Sequence, residues 1–224
     1  MLDDKRIKII IGHYGTGKTE FSVNYCMKLA EFDKKIAIAD LDIVNPYFRS
    51  REKASLLEKK GIEVMSSSLG HNASLALPAI SAEISGPIQN PEYQVILDVG
   101  GDSVGARVLA RFKDDIIDQG YDMFCVVNTN RPETVDVVGI IYHVKSIEDA
   151  TGLKVTGLIN NTHLLRDTTV ETVMEAQKII KEASEKLNIP IRYISTLENV
   201  AKELPDDLEG EIFPIRMYMR EEWM

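Results

Sequence analysis

Ile7-Lys8-Ile9-Ile10-Ile11-Gly12-His13-Tyr14-Gly15-Thr16-Gly17-Lys18-Thr19 is the stretch on which the reading of the fold turns. Five strand-forming residues, Ile7–Ile11, run directly into the pattern GxxxxGK[ST], and a segment with Phe21, Tyr25, Leu29 and Phe32 at helical spacing follows. The order strand, glycine loop, helix is the one the loop's chemistry requires. Glycines let the main chain curl so that consecutive N–H groups face one concavity, and the helix beginning near Lys18 aims its positive end at the same point. Such a nest selects anions, and the Lys18 ammonium adds a charge-assisted donor. Hydrogen bonds to charged groups contribute about 1.5–3 kcal/mol each, so several converging donors hold a triphosphate at useful affinity. The Thr19 hydroxyl is placed to ligate Mg²⁺ beside it. His13 and Tyr14 fill variable positions of the loop. His13 is read either as touching a phosphate or a partner, or as a solvated imidazole.

Outward from the loop, short β-rich runs alternate with longer helix-period stretches, as a parallel sheet with crossover helices leaves them. Strands are expected at Ile7–Ile11, Lys35–Ala39, Glu63–Met65, Gln94–Leu97, Met123–Asn128, Lys154–Asn160 and Ile191–Ile194. Most are apolar throughout, which fits strands covered on both faces. Helices are expected over Lys18–Phe32, over Glu133–Asp149 with Val137, Ile141, Val144 and Glu148 in series, and over Thr169–Leu187 with Val173, Ala176, Ile180, Ala183 and Leu187 on one face. Pro190 disfavours helical backbone at Ile189 and so ends the last of these. Ser66–Pro91 stays open between loop and short helix. The tail Ile212–Met224 reads as an edge strand, a partner contact or a weak membrane-surface element, with an ordinary docked terminus the plainest reading. The fold class expected is α/β, a three-layer α/β/α P-loop NTPase fold with a mostly parallel sheet, in one domain over residues 1–224.

Composition bounds the function. A chain of 224 residues with 44% apolar and 27% charged residues suits one α/β core rather than a disordered segment. A net charge of −9 and a pI near 5.0 disfavour a broad nucleic-acid footprint, which needs clustered Lys and Arg. Cys26 and Cys125 lie far apart without a Cys/His pattern, so neither a disulfide framework nor a zinc or iron–sulfur site is indicated. The first apolar run, Ile7–Ile11, is too short for a signal-peptide core or a membrane span, so no transmembrane segment is expected and the cytoplasm is the expected compartment.

Mg²⁺ prefers an octahedron of oxygens, so a phosphate loop calls for acidic residues at neighbouring strand ends. Asp40 and Asp42 follow Lys35–Ala39, and Asp98 closes Gln94–Leu97 before Val99-Gly100-Gly101-Asp102. In a parallel sheet these ends share the edge where ligands bind. Asp98 then resembles a Walker-B carboxylate holding a water of the Mg²⁺ shell, Gly100 or Gly101 offers an N–H to the γ-phosphate, Asp40 is an outer-shell Mg²⁺ partner, and Asp42 orients or deprotonates the attacking water. For each aspartate, a helix cap or turn former is the plainer role.

These residues resemble the MinD/ParA/CobQ-CobB group of P-loop ATPases, part of the SIMIBI class, to which the nitrogenase iron protein is also related. The loop Gly12–Thr19, the pair Asp40-Leu41-Asp42 and Tyr93–Asp98 with Gly100-Gly101 carry the resemblance. A weaker element is Gly157-Leu158-Ile159-Asn160-Asn161, similar to the strand whose terminal Asn hydrogen-bonds adenine in that group, which implies that Asn161 reads the base. The resemblance implies ATP and Mg²⁺ as cofactors, a homodimer, slow ATP hydrolysis by Lys18 and Asp42, a metal site of Thr19, Asp40 and Asp98, and nucleotide contacts from Gly12, His13, Tyr14, Gly15, Thr16, Gly17, Lys18, Thr19, Glu20, Gly101 and Asn161. Departures matter as much. Many members carry a signature lysine after the first loop glycine, where this chain has His13. The cysteines of the iron–sulfur members are missing, and the guanine-reading NKxD element is replaced by Asn160-Asn161-Thr162-His163, which favours ATP over GTP.

Two further stretches have their own character. Asn45-Pro46-Tyr47-Phe48-Arg49-Ser50-Arg51 offers Arg49 and Arg51 to a substrate anion or a second subunit's phosphate, or is a solvated helix start. Asn130-Arg131-Pro132-Glu133 flanks the base or caps the following helix, with capping preferred. The expected function is a Mg-dependent ATP switch acting on a protein partner. Its rivals are a CobQ-CobB or dethiobiotin-synthetase-like enzyme that activates a small-molecule carboxylate, and a nucleotide-loaded adaptor that does not hydrolyse.

Overall fold

The computed structural model describes residues 1, 3–32, 34–42, 53–65 and 83–219. The expected contributions of Arg49 and Arg51, and most of Ser66–Pro91, lie outside them. Among the described residues the strands are β1 (Ile7–Ile11), β2 (Lys35–Leu41), β3 (Ile62–Met65), β4 (Tyr93–Val99), β5 (Tyr121–Val127), β6 (Gly157–Asn160), β7 (Ile191–Leu197) and β8 (Glu211–Ile215). They form one sheet in the order β3-β2-β4-β1-β5-β6-β7-β8, and every pairing is parallel. The helices are α1 (Lys18–Leu29), α2 (Ala54–Glu58), α3 (residues 83–89), α4 (Ser103–Ala106), α5 (Lys113–Gln119), α6 (Val137–Thr151), α7 (Val170–Leu187) and α8 (Glu198–Ala201).

Strand alternation splits the core into two slabs. Ile7, Ile9 and Ile11 of β1 point to one face, where Ile84 and Ile88 of α3, Ile116 of α5, Ile140 and Val144 of α6 and Ala176 and Ile180 of α7 cover them. Ile10, Phe124 and Tyr193 point to the other, under Phe21 and Tyr25 of α1, Leu57 of α2 and Phe213 of β8. Both faces of the sheet are therefore dry. This is why the strands read as continuous apolar runs and why a parallel arrangement is stable here. The result is the three-layer α/β/α architecture expected from the sequence.

Element ends differ from the sequence reading. β2 and β4 run on through Asp40 and Asp98, which lie opposite one another in register inside the sheet rather than after it. β6 begins at Gly157 instead of Lys154, although the Thr156 N–H still reaches the Met123 carbonyl. α6 starts at Val137, capped by the Asp136 side chain on the Gly139 N–H, and residues Pro132–Thr134 form a separate 3₁₀ turn. Pro87, buried, sits in the short helix over 83–89.

β1 lies between β4 and β5, the place where successive crossovers leave the sheet in opposite directions. The crevice outside the carboxyl end of β1 is thereby left open for a ligand. At the opposite edge of the sheet the chain is closed by a buried carboxylate, Asp4, which accepts hydrogen bonds from Tyr25 Oη at 2.5 Å, Arg192 Nε at 2.7 Å and the Tyr193 hydroxyl. No helix among the described residues is long and apolar enough to cross a membrane.

Candidate functional site

The loop after β1 has the backbone its glycines permit. Gly17 adopts φ 87°, left-handed, at the N-cap of α1, and no side chain caps the helix. A Cβ at Gly17 would overlap the Asn161 side-chain amide, so both conformation and space demand glycine there. Asn161 Nδ2 donates to the Thr16 carbonyl at 2.7 Å, Arg131 Nε donates to the Gly15 carbonyl at 2.9 Å, and Thr16 Oγ1 donates to the His13 carbonyl at 2.9 Å. These bonds occupy three of the loop's carbonyls, and the first-turn N–H groups of α1, which have no partner within the helix, begin at the crevice. Lys18 is buried, with Nζ 3.5 Å from the His13 carbonyl. Gly101 closes the far side: a Cβ there would lie 2.8 Å from the Tyr14 nitrogen and 3.0 Å from Lys18 Nζ.

Three carboxylates gather at this edge. Asp98 is 1% exposed, and neither of its oxygens makes a hydrogen bond of normal geometry, although the Thr19 and Ser22 hydroxyls lie close enough to act on its charge. Burial pushes its pKa up to about 6, against the opposing pull of Lys18 and of the Thr19 and Ser22 hydroxyls, while Asp42 pushes in the same direction as burial. Asp4 at the opposite edge shows what a buried structural carboxylate looks like when it is satisfied. Asp98 has no such set of bonds and sits beside Lys18 and the Thr19 and Ser22 hydroxyls. Asp40 Oδ1 accepts the Asp42 N–H at 3.1 Å, and Asp42 lines the crevice next to Gly100. Thr19 and Asp98, with Asp40 in register beside it, suit a hard divalent cation that keeps its waters and takes phosphate oxygens as further ligands. Among the described residues no three His, Cys, Asp or Glu side chains form an all-protein metal cage.

The crevice is a cavity of about 280 Å³ that extends from the loop to the ends of β6, β7 and β8. Of the residues singled out in the sequence, Tyr14, Gly15, Gly17, Lys18, Thr19, Glu20, Asp42 and Asn161 line it. His13 does not. Its ring lies edge-on to His143 at 5.6 Å and its Nδ1 is 3.5 Å from Glu133 Oε2, so it faces α6. Burial, helped by the charges of His13 and Lys18, lowers the pKa of His143 to about 4. Glu20 lines the cavity but spends its carboxylate on the C-terminal segment, accepting the Tyr218 N–H at 2.6 Å and the Met219 N–H at 3.1 Å.

For Asn130-Arg131-Pro132-Glu133 the sequence left open flanking the base or capping the next helix and preferred capping, whereas Arg131 lines the cavity. Its side chain makes no cap bond and instead grips the loop at Gly15. Sequence reasoning missed Ser195, Thr196 and Leu197 at the end of β7, and Met217 and Met219 beyond β8. Their one signal was position: the carboxyl end of a parallel strand.

No family model and no curated protein matches the sequence. Solved structures do match. The cell division protein FtsY of Thermotoga maritima superposes with a TM-score of 0.61 at 22% identity, over 86% of this chain and 62% of that one. Chloroplast FtsY from Physcomitrella patens gives 0.59 at 15% identity over 85% and 58%. The signal recognition particle receptor FtsY of Elizabethkingia anophelis, in complex with GDP, gives 0.57 at 16% identity over 86% and 58%. The chain thus spans about 58–62% of the length of these structures. At identities of 22% and below, what the likeness establishes for this chain is the three-layer P-loop NTPase fold, and the MinD/ParA level is not reached.

Proposed function

We propose that the chain binds Mg·ATP and hydrolyses it slowly, as a nucleotide switch of the MinD/ParA type. The observation that supports this most is the loop itself, a left-handed Gly17 opening an uncapped helix beside a buried lysine. In this reading Lys18 offsets charge on the β and γ oxygens, and Asp42 orders the attacking water. Thr19, Asp40 and Asp98 are the residues that would hold Mg²⁺, which when bound would offset charge on the phosphate oxygens. The unpartnered, buried Oδ1 of Asn161 supports adenine, whose N6 amino group is a donor where guanine carries the O6 acceptor.

A protein partner or second copy is favoured over a small carboxylate by exposed apolar side chains beside the site. Tyr14, Val104, Val135, Val138 and Tyr142 are 51–76% exposed, and they sit on the loop, on α4, and at and within the start of α6. Such residues suit a contact that forms when the loop is loaded.

Calorimetric titration with Mg·ATP and Mg·GTP tests the reading. Wild type should bind ATP more tightly, and Lys18→Ala should abolish binding while circular dichroism shows an intact fold. Unchanged ATP affinity in Lys18→Ala refutes the assignment. Phosphate release that starts only when a carboxylate metabolite is added would move the chain to the biosynthetic reading, and tight binding without turnover to the adaptor.

A further inference from the structure

We propose that the C-terminal segment 215–219, clamped to α1 by Glu20, is part of the ligand site and forms the apolar wall against which the heterocyclic base of the nucleotide packs. The inference rests on the nucleotide reading above and concerns the nucleoside end of the same cavity. That cavity has two chemically different ends. One is the loop, with its cation and amides. The other is lined by Leu165, Leu197, Ile215, Met217 and Met219.

Two residues at that end carry polar atoms without partners, Asn161 Oδ1 and Ser195 Oγ, and are 2% and 1% exposed; Thr196, next along β7, lines the cavity with its side chain on the opposite face of the sheet. A buried polar atom left unpaired costs about 1–3 kcal/mol, and native proteins leave few of them. Two at one end of one apolar cavity point to a ligand with flat apolar faces and a polar edge, which describes a purine. Methionine suits the wall, because its unbranched, polarisable side chain fills irregular gaps and packs well on aromatic rings.

The wall is not an independent strand end. After β8 the chain turns along α1, where Asn24 Nδ2 donates to the Arg216 carbonyl at 2.8 Å and Asn24 Oδ1 accepts the Arg216 N–H at 2.8 Å. Glu20 then takes the N–H groups of Tyr218 and Met219. Glu20 directly follows Thr19, so the helix turn that meets the phosphates also fastens the surface that meets the base. Glu20 is therefore a positioning residue: it sets nucleoside affinity through Met217 and Met219 without touching phosphate.

Titration of the full chain with Mg·ATP and with Mg·tripolyphosphate separates the two ends. Wild type should bind ATP more tightly than tripolyphosphate. Glu20→Ala and Met217→Ala should each weaken ATP about tenfold and leave tripolyphosphate within about twofold. Glu20→Gln keeps an acceptor and should lie between wild type and Glu20→Ala. Met217 is only half-buried, so its variant carries the test should Glu20→Ala unfold. Unchanged ATP affinity in the variants, or an equal loss for both ligands, overturns the inference and leaves the nucleotide reading standing. Wild type that takes up neither ligand removes both.

Discussion

Replacing Asp98 by Asn should stabilise the metal-free, nucleotide-free protein at neutral pH, by an amount that depends on pH. Asp98 is fully buried with neither oxygen in a hydrogen bond of normal geometry, and burial raises its pKa from 3.8 to about 6. The folded state therefore holds this proton more tightly than the unfolded chain does. Between pH 4 and pH 6 the native protein carries more protons, so this group's contribution to stability falls as pH rises through that window and is flat above it. At about 1.36 kcal/mol per unit, the full penalty at pH 7 is roughly 3 kcal/mol, equivalent to about 6–12 °C in melting temperature for a chain of this size. Asn has nearly the same shape and no charge to desolvate. Thermal and urea unfolding of both proteins in EDTA at pH 4, 5, 6 and 7 should show the advantage of Asp98→Asn growing with pH by most of that amount. Any fixed packing difference cancels in the comparison. A difference that stays constant from pH 4 to pH 7 would refute the reasoning. Added Mg·ATP should reverse the ranking, because the variant loses the carboxylate that the bound ion needs.

Gly17→Ala places a side chain in left-handed backbone and against Asn161; it should cost about 1–3 kcal/mol in unfolding experiments and lower ATP affinity, and a variant with wild-type melting temperature and affinity would contradict this. Asp42→Ala should keep ATP affinity and slow phosphate release about 100-fold, measured in a single-turnover assay; an unaltered rate removes Asp42 from that role. His143, held neutral with its pKa near 4 by burial and by the neighbouring His13 and Lys18 charges, makes the folded protein lose stability as pH falls below the ordinary histidine value of 6.5. His143→Gln should be spared about 2 kcal/mol of the loss between pH 7 and pH 5; equal urea midpoint shifts in both proteins would exclude it.

The parts of this architecture that are local in sequence were legible from it. β1, the loop and α1 announce themselves because strand run, glycines and helical spacing are contiguous, and Ile7–Ile11 and the start of α1 at Lys18 fall where the pattern puts them. The ends of β2 and β4 were cut short because an apolar-run criterion stops at the first aspartate. Asp40 and Asp98 continue the ladder because the open edge of a parallel sheet gives them a polar crevice to face. Ala54–Glu58, Ser103–Ala106 and Lys113–Gln119 are too short for a periodicity to emerge. Arg131, Ser195, Thr196, Met217 and Met219 reach the cavity from three separate strand ends, and only the fold brings them together. Glu20 shows the limit most clearly. Its place after Thr19 suggested a contact with nucleotide, whereas its carboxylate is engaged by the C-terminal segment almost 200 positions away, at Met219.

A crystal structure of the protein with Mg²⁺ and a non-hydrolysable ATP analogue tests the central claim most directly. The account predicts the β- and γ-phosphates within hydrogen-bond distance of the amides of residues 15–19 and of Lys18 Nζ, the ion at Thr19, and the base between Asn161, Ser195 and Met217. An analogue bound elsewhere, with the Gly12–Thr19 loop closed over nothing, would contradict it.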